Sequence, residues 1–178
     1  LFEIVSREVE QLAVPDWAFE AWDLPVEKRN FDYESMLYSN GQFHNHWLPG
    51  ASVPDVSRRE TKLWFYFLAR SYLNAGIEAL HFGQAELMNR GDPNSAHWDQ
   101  VLTRIRKYAG EHGRRHWVLC DAHVPSGGLL RGNRLLFDFH SFPLRIKEVP
   151  ERPWEGILEV GFTDAIYVRS RGVVTPSG

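Results

Sequence analysis

Over 58–74 apolar residues return every three or four positions, and Gly76 stands where a helix ending there needs a left-handed residue. Ser57 and Glu60 open the run with the spacing of a capping box, which predicts a helix over 58–74. The apolar run 77–83 (IEALHFG) then reads as a strand. Asn94 or Ser95 is placed to cap a second helix, in which Trp98, Val101, Leu102, Ile105, Tyr108 and Ala109 trace one apolar stripe as far as Gly113. The next strand is predicted over 116–120 (HWVLC). Helix, strand, helix, strand with short links is the order that produces parallel sheets with covered faces.

The flanks have other rhythms. Leu1, Ile4, Val5, Val9 and Leu12 predict an amphipathic helix that ends before Pro15, and a short helical turn is expected after Asp16. Periodicity then fails over a long loop, 24–56, rich in Pro, Asn, Gly and Ser, of a length that compact domains rarely carry unless it serves a site. After Cys120 there is no room for a crossover helix. Gly132-Asn133 predicts a hairpin instead, with 135–139 pairing back on Leu129-Leu130 before, or in place of, joining the main sheet. Pro143, Pro150 and Pro153 punctuate the next segment, and a final strand region is expected over 157–170, with 165–169 (AIYVR) its clearest run.

This α/β alternation suits a doubly wound sheet or a (β/α)8 barrel, both of which gather ligands at the carboxyl ends of strands. No Gly-x-Gly-x-x-Gly comes after any strand, so the dinucleotide and P-loop readings have no support. The expected fold class is therefore α/β, a partial (β/α)8 TIM-type barrel with parallel strands and an inserted β-hairpin. It forms a single segment over 1–178 with its core β/α units at 57–142. Because a whole barrel takes about 250 residues, and because the chain opens without Met in apparent mid-helix, it is expected to be a fragment of a longer chain.

Composition removes several function classes. With 178 residues and 43% apolar content the chain can bury one sizeable core. A formal net charge of −3, with arginines scattered apart from pairs such as Arg58-Arg59 and Arg114-Arg115, offers no basic face to a phosphate backbone. Nucleic acid is not an expected partner. No run approaches the ~20 apolar residues of a membrane span. A lone cysteine, Cys120, rules out an internal disulfide and reads as a small buried hydrophobe. The chain is expected to be soluble, with its compartment left open.

Two copies of one triplet carry the chemistry: Asp121-Ala122-His123 and Asp138-Phe139-His140, each at or just past the end of an apolar run. In extended backbone residues i and i+2 share a face, so each triplet aims a carboxylate and an imidazole the same way. Glu86 lies just past the strand at 77–83 and falls at the rim, where apolar neighbours such as Phe82, Leu87 and Met88 suit a general acid. Gln84 stands beside it. In the long loop, His44-Asn45-His46 has the spacing of a ligand pair, and Trp47 comes next as a loop-borne aromatic. Each group also has a plain structural use, since a strand-end Asp caps loops and most tryptophans are core. The doubling of Asp-x-His tilts the balance toward a site.

The stretch 77–88 (IEALHFGQAELM), followed by a helix and the strand leading to Asp121, resembles the central part of a (β/α)8-barrel glycoside hydrolase. The resemblance covers 57–142 and rests on topology plus one carboxylate. It implies a carbohydrate-active hydrolase that cleaves glycosidic bonds by carboxylate acid/base chemistry, with no cofactor and with a carbohydrate or other small molecule as substrate. Glu86 matches the acid/base of that family, although Ala85 stands where an Asn usually precedes it. The second carboxylate would be Asp121, Asp138 or Glu159, and His44, His46, Trp47, Gln84, His123 and His140 would bind hydroxyls and rings. Two alternatives accompany it. A metal-dependent, amidohydrolase-like hydrolase would hold a divalent metal with His44, His46, His123, His140 and one Asp. A non-catalytic carbohydrate-binding barrel would keep the aromatic loops and use its carboxylates for structure.

Overall fold

The computed structural model describes residues 4–124, 128–141 and 144–160. Its centre is a three-stranded parallel sheet of β3 (Ala79–His81), β4 (Leu119–His123) and β7 (Phe139–Ser141), in the order β3-β4-β7. One face of that sheet is covered by two long helices, α3 (Arg59–Asn74) and α5 (Ala96–His112). Both helices lie where hydrophobic spacing predicts them, β3 falls inside its predicted run, and the whole stripe of α5 is buried. The core is aromatic at its middle: Trp98 is fully buried, stacks on Phe65 at 5.5 Å and meets Phe82 and Phe137 edge-on at 5.6 and 5.4 Å. Its indole N–H donates to the Ala85 carbonyl at 3.2 Å, so this large ring enters the core with no polar atom stranded.

The described strands form an α/β arrangement with a small parallel sheet and do not close into a barrel. The hairpin is present: β5 (Leu130–Arg131) pairs antiparallel with β6 (Arg134–Leu135) across Gly132-Asn133. It precedes β7, so the chain makes the ribbon first and then joins the sheet. Arg134 donates to Asp99 of α5 at 2.6 Å and holds the ribbon against the start of that helix. A separate pair, β8 (Leu144–Glu148) and β9 (Gly156–Val160), is antiparallel. The strand expected at 165–169 lies outside the described residues.

Three local expectations are corrected. The amphipathic helix over the first dozen residues gives way to β1 (Ile4–Val5), paired with β2 (Ala51–Ser52), and to one helical turn, α1 (Ser6–Val9). The long loop takes up the end of the chain here, Gly50 O accepting from Ser6 N at 2.9 Å, and Leu12 is left 40% exposed. The turn after Asp16 does form, as α2 (Asp16–Glu20). The Ser57–Glu60 capping box does not: no side chain caps α3, and the buried Glu60 carboxylate takes Arg29 in a two-pronged pair at 2.7 and 2.9 Å, plus the Asp32 N–H at 3.0 Å. A tertiary partner of opposite charge outbids a local cap. Finally, β4 begins three residues later than apolarity suggests, because pairing with β3 starts only where Leu119 N meets Glu78 O at 2.9 Å. Before that point the chain is still turning, with His116 in the left-handed region and Arg115 N bound to the Glu78 carboxylate at 2.6 Å. Asp121 and His123 therefore lie within the strand.

Candidate functional site at the carboxyl ends of the parallel strands

Alternation along the strands divides the sheet into a core face and a polar face. Leu80, Phe82, Cys120 and Ala122 are buried against the helices, so His81, Asp121 and His123 belong to the opposite side. The register pairs His81 with Asp121 and Asp121 with Phe139, which sets three side chains in one row across three strands. His81 Nδ1 lies 2.7 Å from Asp121 Oδ2. With the carboxylate ionised, Nδ1 carries the hydrogen and the ring presents Nε2 as its other polar atom. The His123 ring, one step along β4, lies 4.4 Å from that of His81 and is 7% exposed, whereas His81 and Asp121 are only half-buried. Two imidazoles and one carboxylate thus meet where two parallel strands end.

Gly83 carries the chain from β3 over this cluster. Its φ of +54 turns the backbone directly into the short helix α4 (Ala85–Met88), while its carbonyl accepts the His123 N–H at 2.6 Å. That bond ties the turn to the end of β4. Glu86 is half-buried on α4, which packs against β4. Gln84, at the start of the helix, is 8% exposed, and among the described residues its side-chain carbonyl receives no hydrogen bond. A buried acceptor in that state is costly, and it lies at the carboxyl end of the sheet.

Of the sequence candidates, Asp121 and His123 come together, and Glu86 and Gln84 sit on the element that adjoins them. Asp138 does not join them. It lies in the bend just before β7, where its Oδ2 accepts the Cys120 N–H at 2.8 Å and Arg106 of α5 meets both oxygens at 3.1 Å. The two Asp-x-His triplets are consequently one register step out of phase, and repetition in sequence does not become convergence in space. The backbone of His140 pairs with Ala122; its side chain lies outside the described residues. Glu159 pairs through its backbone with Arg145 on β8, and its side chain is likewise outside them.

His44 and His46 are loop residues in irregular backbone, Phe43 and Asn45 both having positive φ. The two-residue alternation that would align their rings does not apply. His44 Nε2 lies 3.1 Å from the Tyr38 carbonyl, and the His46 ring packs edge-on between Phe43 and Trp47. Tyr38 joins this loop to α4, its hydroxyl donating to Leu87 O at 2.8 Å. Among the described residues no three His, Cys, Asp or Glu side chains gather within reach of one ion. Burial pushes the Cys120 thiol up to about 12, so it does not supply a thiolate at neutral pH. No helix among the described residues is long and apolar enough to cross a membrane.

His81 and Phe139 are the members of the row that residue patterns passed over. The signal was present in 77–83, where strict alternation separates His81 from Leu80 and Phe82. A scan against family models finds no match, and neither the curated proteins nor the solved structures yield one.

Proposed function

We propose that this chain carries the substrate-binding mouth of a carbohydrate-active hydrolase, centred on Asp121 and its imidazole partners, with Glu86 at the rim as general acid. The observation that carries the reading is the Asp121–His81 pair at 2.7 Å, on the face opposite α3 and α5 and at the carboxyl ends of two adjacent parallel strands. Ligand sites of α/β sheets gather at this end because loops, and not packed strands, surround it. The fold that goes with the reading is an arc of a (β/α)8 barrel, in which β3, β4 and β7 are neighbouring staves and α3 and α5 belong to its outer ring.

Glycoside hydrolysis needs one carboxyl group to protonate the leaving oxygen and a second to act at the anomeric carbon or on its water. Glu86 takes the first role in this reading, as a half-buried carboxyl group on α4, the short helix that packs against β4. Asp121 takes the second. His81 hydrogen-bonds its carboxylate, and His123 and Gln84 are the neighbouring groups assigned to the sugar hydroxyls in this reading. The assay is hydrolysis of a panel of aryl glycosides by the wild-type chain and by Glu86→Gln and Asp121→Asn. Each substitution is expected to lower kcat by at least about a hundredfold with the circular dichroism spectrum unchanged. Full turnover by either variant removes that residue from the reaction. Proton NMR of the first-formed anomer then separates retention, which needs the carboxyls about 5 Å apart, from inversion, which needs them farther apart.

A further inference from the structure

Phe139 is an exposed phenyl ring, whereas Phe82, just past β3, is buried. Phe139 is 59% exposed and lies in the same cross-strand row as His81 and Asp121, on the face opposite α3 and α5. Adjacent strands are about 4.8 Å apart, so its ring stands roughly one strand spacing from the Asp121 carboxylate. Leaving a benzyl group in water beside a hydrogen-bonded polar pair gains nothing for folding. Phe139 is moreover held at this place, because the neighbouring Asp138 is clasped to Cys120 N and Arg106, which locks the register of β7.

From this we infer that Phe139 is the stacking floor of a pyranose subsite, taking the apolar C–H face of a sugar ring while the His81–Asp121 pair bonds the hydroxyls along its edge. The inference rests on the carbohydrate reading and deepens it by naming how the sugar lies. A pyranose has the two faces that this row has: a bare C–H surface to cover an aromatic ring, and polar groups at its rim within one strand spacing. A wholly apolar ligand would strip water from the His81–Asp121 pair without replacing it. A compact anion would gain nothing from the ring and would face the Asp121 carboxylate. Phe139 here is a binding residue and takes no part in proton transfer.

The test titrates the wild type, Phe139→Ala and Phe139→Tyr with methyl α- and β-glucoside, galactoside, mannoside and xyloside, and with cellobiose and maltose. Binding is read by calorimetry and by upfield ring-current shifts of the sugar C–H protons. At least one of these sugars is expected to bind the wild type with such shifts. Phe139→Ala should weaken that binding about tenfold and abolish the shifts, the size expected for one aromatic stacking contact. Phe139→Tyr should restore both. If the aryl glycosides prove to be substrates, Phe139→Ala should raise KM and leave kcat within about twofold. Sugar binding that depends on Phe139 without hydrolysis of any glycoside leaves the subsite standing and overturns the hydrolase. Hydrolysis with KM unchanged in Phe139→Ala does the reverse. No binding of any sugar by the wild type, or equal binding by all three proteins, overturns the subsite.

Discussion

At the scale of single residues, what decides a polar group's role on this sheet is whether it falls inside the ladder or just before it. Asp121 and Asp138 are the same residue type in the same triplet, yet one faces an imidazole pair and the other faces a helix and a backbone N–H. The Asp138 carboxylate completes the start of β7 by taking the Cys120 N–H and the Arg106 guanidinium. Asp138→Ala is therefore expected to lower stability by about 2 kcal/mol, measured by urea unfolding, because it leaves a partly buried cation and an N–H without their acceptor. On the proposed function, glycosidase turnover measured well below the unfolding midpoint is expected to be retained in that variant and lost in Asp121→Asn. The triplets were visible as sequence, but their phase was not, since it depends on where β7 enters the ladder. His81 shows the opposite case: alternation within its own strand already set it apart from Leu80 and Phe82.

Elements whose partners are adjacent in sequence were the legible ones. The helices α3 and α5 carry their own apolar stripes, and Gly76, with φ of +84, ends the first as expected. What could not be read were the ends set by distant partners. Glu60 looks like half of a capping box until Arg29, from the long loop, reaches it, and β4 starts where Glu78 lets it start. Arg29 also takes Glu27 at 2.7 Å, and these carboxylates hold its guanidinium firmly in the charged form. Glu60→Ala should consequently cost about 3 kcal/mol, as in breaking one side of a buried ion pair, with a fall in thermal midpoint that the surface variant Glu27→Ala does not reproduce. A true capping-box residue would cost nearer 1 kcal/mol. The size of the loss thus distinguishes a clasp on the loop from a cap on the helix.

Across the whole molecule, stability is concentrated on one side of the sheet and candidate chemistry on the other. Phe65, Phe82, Trp98 and Phe137 interlock between sheet and helices, and Trp98→Ala should cost about 4 kcal/mol in chemical denaturation, the loss typical of a large aromatic removed from a close-packed interior. The α/β class and the inserted hairpin were readable because they are set by element order. Closure into a barrel is a relation among many strands, which no local rhythm encodes. The two-faced sheet also bears on how such a protein can change over generations. Even positions of β4 pack into the interior, whereas Asp121 lies on the other face and is only half-buried, so substitution at 121 leaves the aromatic core untouched. A scaffold organised in this way separates the positions that hold its architecture from those that are open to change.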